Sequence, residues 1–273
     1  MRESHKAEEL LRDIAGREDS RIDLAAAALA LAVLEKPGSD PDAYRDHLAQ
    51  LCEDVQASLA AGATIVEALN LVILHSHGYA GDTLTYDDIQ NANLMRVIDR
   101  RKGLPVALGI LFLHAARAQG TGADGLNFPG HFLIRIDDAG GRHIVDPFNE
   151  GQFRSAADLR DLLKATAGLE AELNPDHYEA VGNRDILIRL QNNIKARHER
   201  AGRPEEALRV LDRMLLFAPD MMTLWREAGA IHARVGNLSA AIEAFETIVE
   251  RAADETVRHD AATIIQKLRR RLN

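Results

Sequence analysis

Cysteine is almost missing from these 273 residues: Cys52 is the only one. No internal disulfide can form, which fits a reducing compartment. Aromatic residues reach only 4%, with one Trp, and alanine is abundant, so a helical chain is favoured over a β-sandwich. No run of about 18 apolar residues exists to span a membrane; residues 24–34 are apolar but too short. The N-terminal MRESHKAEELLRDIAG has no apolar leader and reads as an amphipathic helix. A phosphate loop of the GxxxxGK type, a GxGxxG following a strand and a CxxC pair are all absent. A cytoplasmic protein with no membrane partner, no cofactor and no structural zinc of the CxxC type is expected.

What is present is acidic. The net charge is −9, which argues against a nucleic-acid partner. The charge is uneven: residues 1–180 carry 17 Lys and Arg against 29 Asp and Glu, a net of −12, whereas residues 181–273 carry 16 against 13, a net of +3. The length allows about two domains, and two modules are expected, 1–180 and 183–273.

Two helices are expected over 4–35. Asp40, with Pro41 at the first helical position, should start a helix that runs to about Ala60 and stops at Gly62. Another helix is expected from Thr64 to His75, a loop from His77 to Thr85, and a helix from Ile89 to Arg101. Pro105 opens a helix, Val106 to Ala118, that is apolar almost all round and therefore central and buried. Asp124-Gly125 reads as a turn, residues 155–165 as a helix, and Asn174 to Asn183 as a linker.

After Gly120 the apolar period changes from 3.6 to 2. In NFPGHFLIRI a turn delivers His131 onto the first position of a strand, and Asp137 to Gly141 turns into a return strand, Arg142 to Asp146. If Asp137 pairs with Arg142, Leu133 faces Asp146, and His131 lies one diagonal away on the same face. The hairpin alone can thus join a histidine to an aspartate. From Asp185 onward the pattern repeats: Gly202 to Gly236 and Ala207 to Ala241 are both 34 residues apart, each glycine between amphipathic helices. That period is the tetratricopeptide signature, with a final helix, Glu255 to Leu272, as its cap.

RRKGLPVALGILFLHAAR, NFPGHFLIR and VDPFN resemble the SirB-type branch of the transglutaminase-like superfamily, in which such a domain is followed by tetratricopeptide repeats. The resemblance implies a mostly helical α+β fold, a papain-like core with a small antiparallel sheet, then a helical repeat domain. It places the family's histidine on His131, its aspartate on Asp146 and its nucleophilic cysteine on Pro105. Proline supplies no nucleophile, and neither do Val106, Ala107 or Leu108, so the triad is reduced to a dyad that cannot form an acyl-enzyme. A pseudoenzyme that binds a protein or peptide partner through the repeats is the first expectation. A hydrolase or acyl transferase with a displaced nucleophile is the second. Cys52, mid-helix beside Glu53 and Asp54, should be an inert buried thiol.

His131 and Asp146 could equally serve only to pin the hairpin. Asn127 and Asn149 are candidate binding residues beside them, with turn capping as the alternative. His75-Ser76-His77 has two-ligand spacing, but no third ligand is obvious, and no metal is expected.

Overall fold

Charged residues alternate with small and apolar ones in RESHKAEELLRDIA, which forms α1 (Arg2–Ala15) in the computed structural model, where residues 2–272 are described. α2 (Leu24–Glu35) begins at Asp23, whose carboxylate accepts the Ala26 N–H at 3.0 Å. It has no polar face and is buried along most of its length. α3 (Asp42–Ala60) starts one residue later than expected, yet Asp40 still accepts the Asp42 N–H at 3.0 Å. Gly62 closes it at φ +99°.

α4 (Ile65–Leu69) opens with a capping box between Thr64 and Glu67. It was expected to continue as an α-helix but widens into a π-helix over Asn70–Ser76. There the side-chain amide of Asn70 donates to the Gly151 carbonyl at 3.1 Å. The expected loop contains β1 (Ala80–Gly81), which pairs in parallel with β2 (Lys102–Gly103). Between them a 3₁₀ turn, Ile89–Ala92, and α5 (Leu94–Arg100) replace the single helix expected; Asn93 divides them, its side chain accepting the Arg96 N–H. α6 (Pro105–Ala118) has Pro105 at its first position and is buried over Pro105–Leu113.

One antiparallel sheet follows. It comprises β3 (Gly122–Leu126), β4 (Ile134–Asp138), β5 (Gly141–Asp146), β6 (Gln152–Phe153) and β7 (Ala180–Val181), in the order β6-β5-β4-β3-β7. Asp137 does pair with Arg142. The strand begins at Ile134, so His131 sits three residues before it rather than at its first position. Asp124-Gly125 is strand, not turn, for two reasons. Asp124 lies opposite Arg135 and accepts from its guanidinium at 2.5 Å. A Cβ on Gly125 would stand 2.7 Å from the Phe132 ring and 2.9 Å from Ile186, so a residue without a side chain is required there. The expected linker holds a 3₁₀ turn, Pro175–Tyr178, and β7. α7 (Ala156–Ala167) is capped by Ser155 and Asp158. The sheet lies on α6: a Cβ on Gly109 would be 2.4 Å from the Phe132 ring and 3.6 Å from Ile134.

The repeats are α8 (Asn183–Arg200), α9 (Pro204–Phe217), α10 (Met222–Arg234) and α11 (Leu238–Arg251), with α12 (Glu255–Leu272) as the last helix. Gly202 and Gly236 turn in the left-handed region, at φ +66° and +85°. Ala241, Phe245 and Ile248 of α11 share a buried core with Ile265 and Leu268 of α12.

Two compact units result: Met1–Ala7 with Glu18–Leu190, and Glu8–Arg17 with Gln191–Asn273. Among the described residues, no helix is long and apolar enough to cross a membrane.

Candidate functional site

The end of β5 places Asp146 at the centre of a polar knot, and its side chain is fully buried. One carboxylate oxygen accepts from His131 Nε2 at 2.9 Å and from the backbone N–H groups of Phe148 and Asn149, both at 3.2 Å. The other accepts from Asn149 Nδ2 at 2.8 Å and from Arg154 Nε and Nη2 at 3.1 and 2.7 Å. Burial alone would raise the carboxyl pKa; the donors from His131, Asn149 and Arg154 outweigh it and hold the group at about 2. With six donors the carboxylate is saturated and has no capacity left for a substrate.

Because Asp146 accepts from Nε2, that nitrogen carries the ring proton, and Nδ1 of a neutral His131 is the acceptor. No described residue hydrogen-bonds Nδ1. The turn that carries His131 is held from α8: Arg189 Nη2 donates to the His131 carbonyl at 2.5 Å and to the Phe128 carbonyl at 3.0 Å. The Phe148 ring meets the imidazole edge-on at 6.0 Å between centroids. Phe148 also presses on β1, where a Cβ on Gly81 would stand 2.6 Å from its carbonyl oxygen. Gly81 pairs with Gly103, two residues before Pro105. Pro105 is buried at the first position of α6.

A cleft of about 620 Å³ adjoins this knot, lined by Asn149, Arg154 and Phe148 on one side and by His75, Tyr79 and Gly81 on the other.

The structure thus joins His131, Asp146 and Asn149. Asn127 stands apart: it is exposed, and its N–H donates to the Glu179 carbonyl at 3.0 Å, on the β7 side of the sheet. Cys52 is also remote. Gln119, which follows α6, donates to its carbonyl at 2.9 Å, and the 14 residues from Pro105 to Gln119 span about 20 Å of helix. Burial first, then Asp23 and Glu53, push the Cys52 thiol up, away from the reactive thiolate. Phe148, Arg154 and Arg189 were not singled out from sequence. Only Arg154, eight residues after Asp146, left a trace, in the polar run following DPFN.

A second polar cluster lies between α3 and the start of β1. His47 Nε2 and the Tyr79 hydroxyl are 2.8 Å apart, and Arg101 Nη1 donates to both, to His47 at 2.6 Å. His77 bonds Asp54 at 2.7 Å instead of forming a metal clip with His75. Burial pushes the Tyr79 phenol up to about 12, and burial together with Arg101 and His77 lowers His47 to about 4. Arg101 adopts the left-handed conformation, φ +57°. Among the described residues, no group of three or more His, Cys, Asp or Glu is placed to hold a metal ion.

The family model of the transglutaminase-like superfamily matches residues 42–192. The chain belongs to the transglutaminase-like superfamily. A tetratricopeptide repeat model matches residues 194–273, completing the SirB-type arrangement expected from the motifs. Two of the curated relatives match over most of their length. A UPF0162 protein of Xylella fastidiosa is 29% identical over 245 residues, 85% of each chain. One of Vibrio cholerae is 30% identical over 238 residues, covering 86% of this chain and 88% of the relative. The mouse F-box only protein 21 is 27% identical over 173 residues, 59% of this chain but 26% of its own length.

Proposed function

We propose that this superfamily member is a non-catalytic interaction or regulatory protein, bacterial and cytoplasmic. In this reading the transglutaminase-like unit is a pseudoenzyme, and the repeats take a protein or peptide partner. What supports it is the oriented His131–Asp146 pair together with Pro105, the position on which the resemblance places the superfamily's cysteine. No described hydroxyl or thiol hydrogen-bonds His131, and Cys52 lies at the other end of α6. A saturated Asp146 serves to fix the His131 ring and the hairpin. Asn149 and Arg154 then act as parts of a binding cleft, and His131 is tied to both through Asp146. Two repeats plus a cap are a short array of the kind that binds helices or peptides.

One observation favours a second reading. The unpartnered Nδ1 of His131 keeps the geometry of a general base, so a displaced-nucleophile amide hydrolase or acyl transferase is the alternative. The test compares the wild-type chain with His131→Ala and Cys52→Ser on p-nitrophenyl acetate and a glutamine-containing peptide amide. We expect all three to turn over within about twofold of one another. A wild-type rate more than tenfold above that of a folded His131→Ala chain would establish the enzyme reading.

A further inference from the structure

Asp146 fixes more than His131. One of its carboxylate oxygens takes Asn149 Nδ2 at 2.8 Å together with Arg154 Nε and Nη2 at 3.1 and 2.7 Å. That oxygen belongs to a fully buried side chain, so Asn149 and Arg154 are held from behind, side by side. Each has a polar end to spare. With Nδ2 bound, Asn149 turns its Oδ1 away from Asp146, and Arg154 keeps Nη1. Neither atom has a partner among the described residues, and neither is sealed from solvent. Both residues line the cleft of about 620 Å³, a size usual for small-ligand sites, which run from about 300 to 1,000 Å³. The cleft wall therefore carries a fixed acceptor beside a fixed donor.

Glu150 adds a carboxylate to the same wall, with no hydrogen bond or ion pair among the described residues. Its backbone is left-handed, at φ +56°, a conformation that disfavours a side chain, and Gly151 follows at φ +63°. The turn is tied on both sides: the Gly151 N–H donates to the Asp146 carbonyl at 2.9 Å, and its carbonyl accepts from Asn70 at 3.1 Å. A glycine at position 150 would adopt this backbone without strain. A glutamate held there against its preference points to the cleft rather than to the fold. Leu74, Pro147 and Phe148 supply apolar lining.

These groups select among ligands. An amine alone leaves Arg154 Nη1 unmatched. An anion alone faces the Glu150 carboxylate. An amide suits Asn149 and Arg154 but leaves Glu150 without a partner. A zwitterion matches all three. We propose that the cleft binds a free α-amino acid with an apolar side chain. Its ammonium donates to Glu150 and to Asn149 Oδ1, its carboxylate accepts from Arg154 Nη1, and its side chain lies along Leu74, Pro147 and Phe148. Asp146 is then the buried anchor that preorganises the recognising groups. This rests on the reading of Asn149 and Arg154 as parts of a binding cleft.

Isothermal titration calorimetry on the intact chain tests it, with L-leucine, L-methionine and L-phenylalanine as probes. We expect at least one to bind with a Kd below about 1 mM. Its N-acetyl derivative, which lacks the ammonium, and its amide, which lacks the carboxylate, should each bind at least tenfold more weakly. Glu150→Gly should also weaken the free amino acid at least tenfold, while its thermal midpoint stays at or above that of the wild type because the backbone is relieved. Glu150→Gln, which keeps the side chain's shape, should show the same loss. No binding by any of the three amino acids, or equal binding to wild type and Glu150→Gly, would overturn the proposal. A blocked derivative that binds as tightly as the free amino acid would overturn the zwitterion and leave the cleft reading standing. None of these results bears on the turnover comparison.

Discussion

Asp146 and His131 were legible from sequence because the change of apolar period located a hairpin, and an assumed register placed the two side chains together. The residues that govern them were not. Arg154 reaches Asp146 only after the chain turns into β6, and Arg189 reaches the His131 carbonyl from 58 residues away. No local pattern encodes such contacts. The pKa directions give a testable acid response. Asp146 is held at about 2, below the unfolded value near 3.9. Its contribution of about 2 kcal/mol is complete above pH 4 and is lost as pH falls towards 2. His47, lowered to about 4, acts in a higher window. Between pH 6.5 and 4 the unfolded chain binds a proton that the folded chain refuses, so stability falls with pH there too. Urea unfolding from pH 7 to 4.5 should show this slope, and His47→Gln should flatten it. An unchanged slope in that variant would show that His47 titrates normally.

Long elements were readable and short ones were not. α6 follows from an apolar run without a polar face, and the repeats follow from a 34-residue spacing. β1, β2 and β7 are two residues each, too short to show any period. β3 was hidden by Gly125, which looks like a turn residue but exists to admit the Phe132 ring. The same ring governs α6. Gly109→Ala would normally help a helix by about 1 kcal/mol, but here its Cβ would stand 2.4 Å from Phe132. We expect a net destabilisation of about 1–3 kcal/mol in urea unfolding. A gain in stability would show that the sheet does not press on α6 at that point.

Across the whole molecule, sequence indicated two modules, whereas the compact units share the N-terminal helix between them. An amphipathic helix at a chain start carries no sign of which apolar surface it will cover, so this could not be read in advance. Two units should not unfold as one. Trp225, the only tryptophan, lies in α10 and donates to the Pro219 carbonyl at 2.8 Å, so its fluorescence reports the repeats alone. Far-UV circular dichroism reports every helix. Their denaturation midpoints should differ; coincident curves from the two probes would instead mean a single cooperative system. Arg101 has a consequence of a different kind. It holds a left-handed backbone that a glycine would adopt without cost, yet its guanidinium ties His47 to Tyr79. Positions 47, 79 and 101 therefore form one unit of inheritance. A lineage that loses the imidazole or the phenol no longer has a reason to keep arginine there, and glycine becomes the residue that drift would favour.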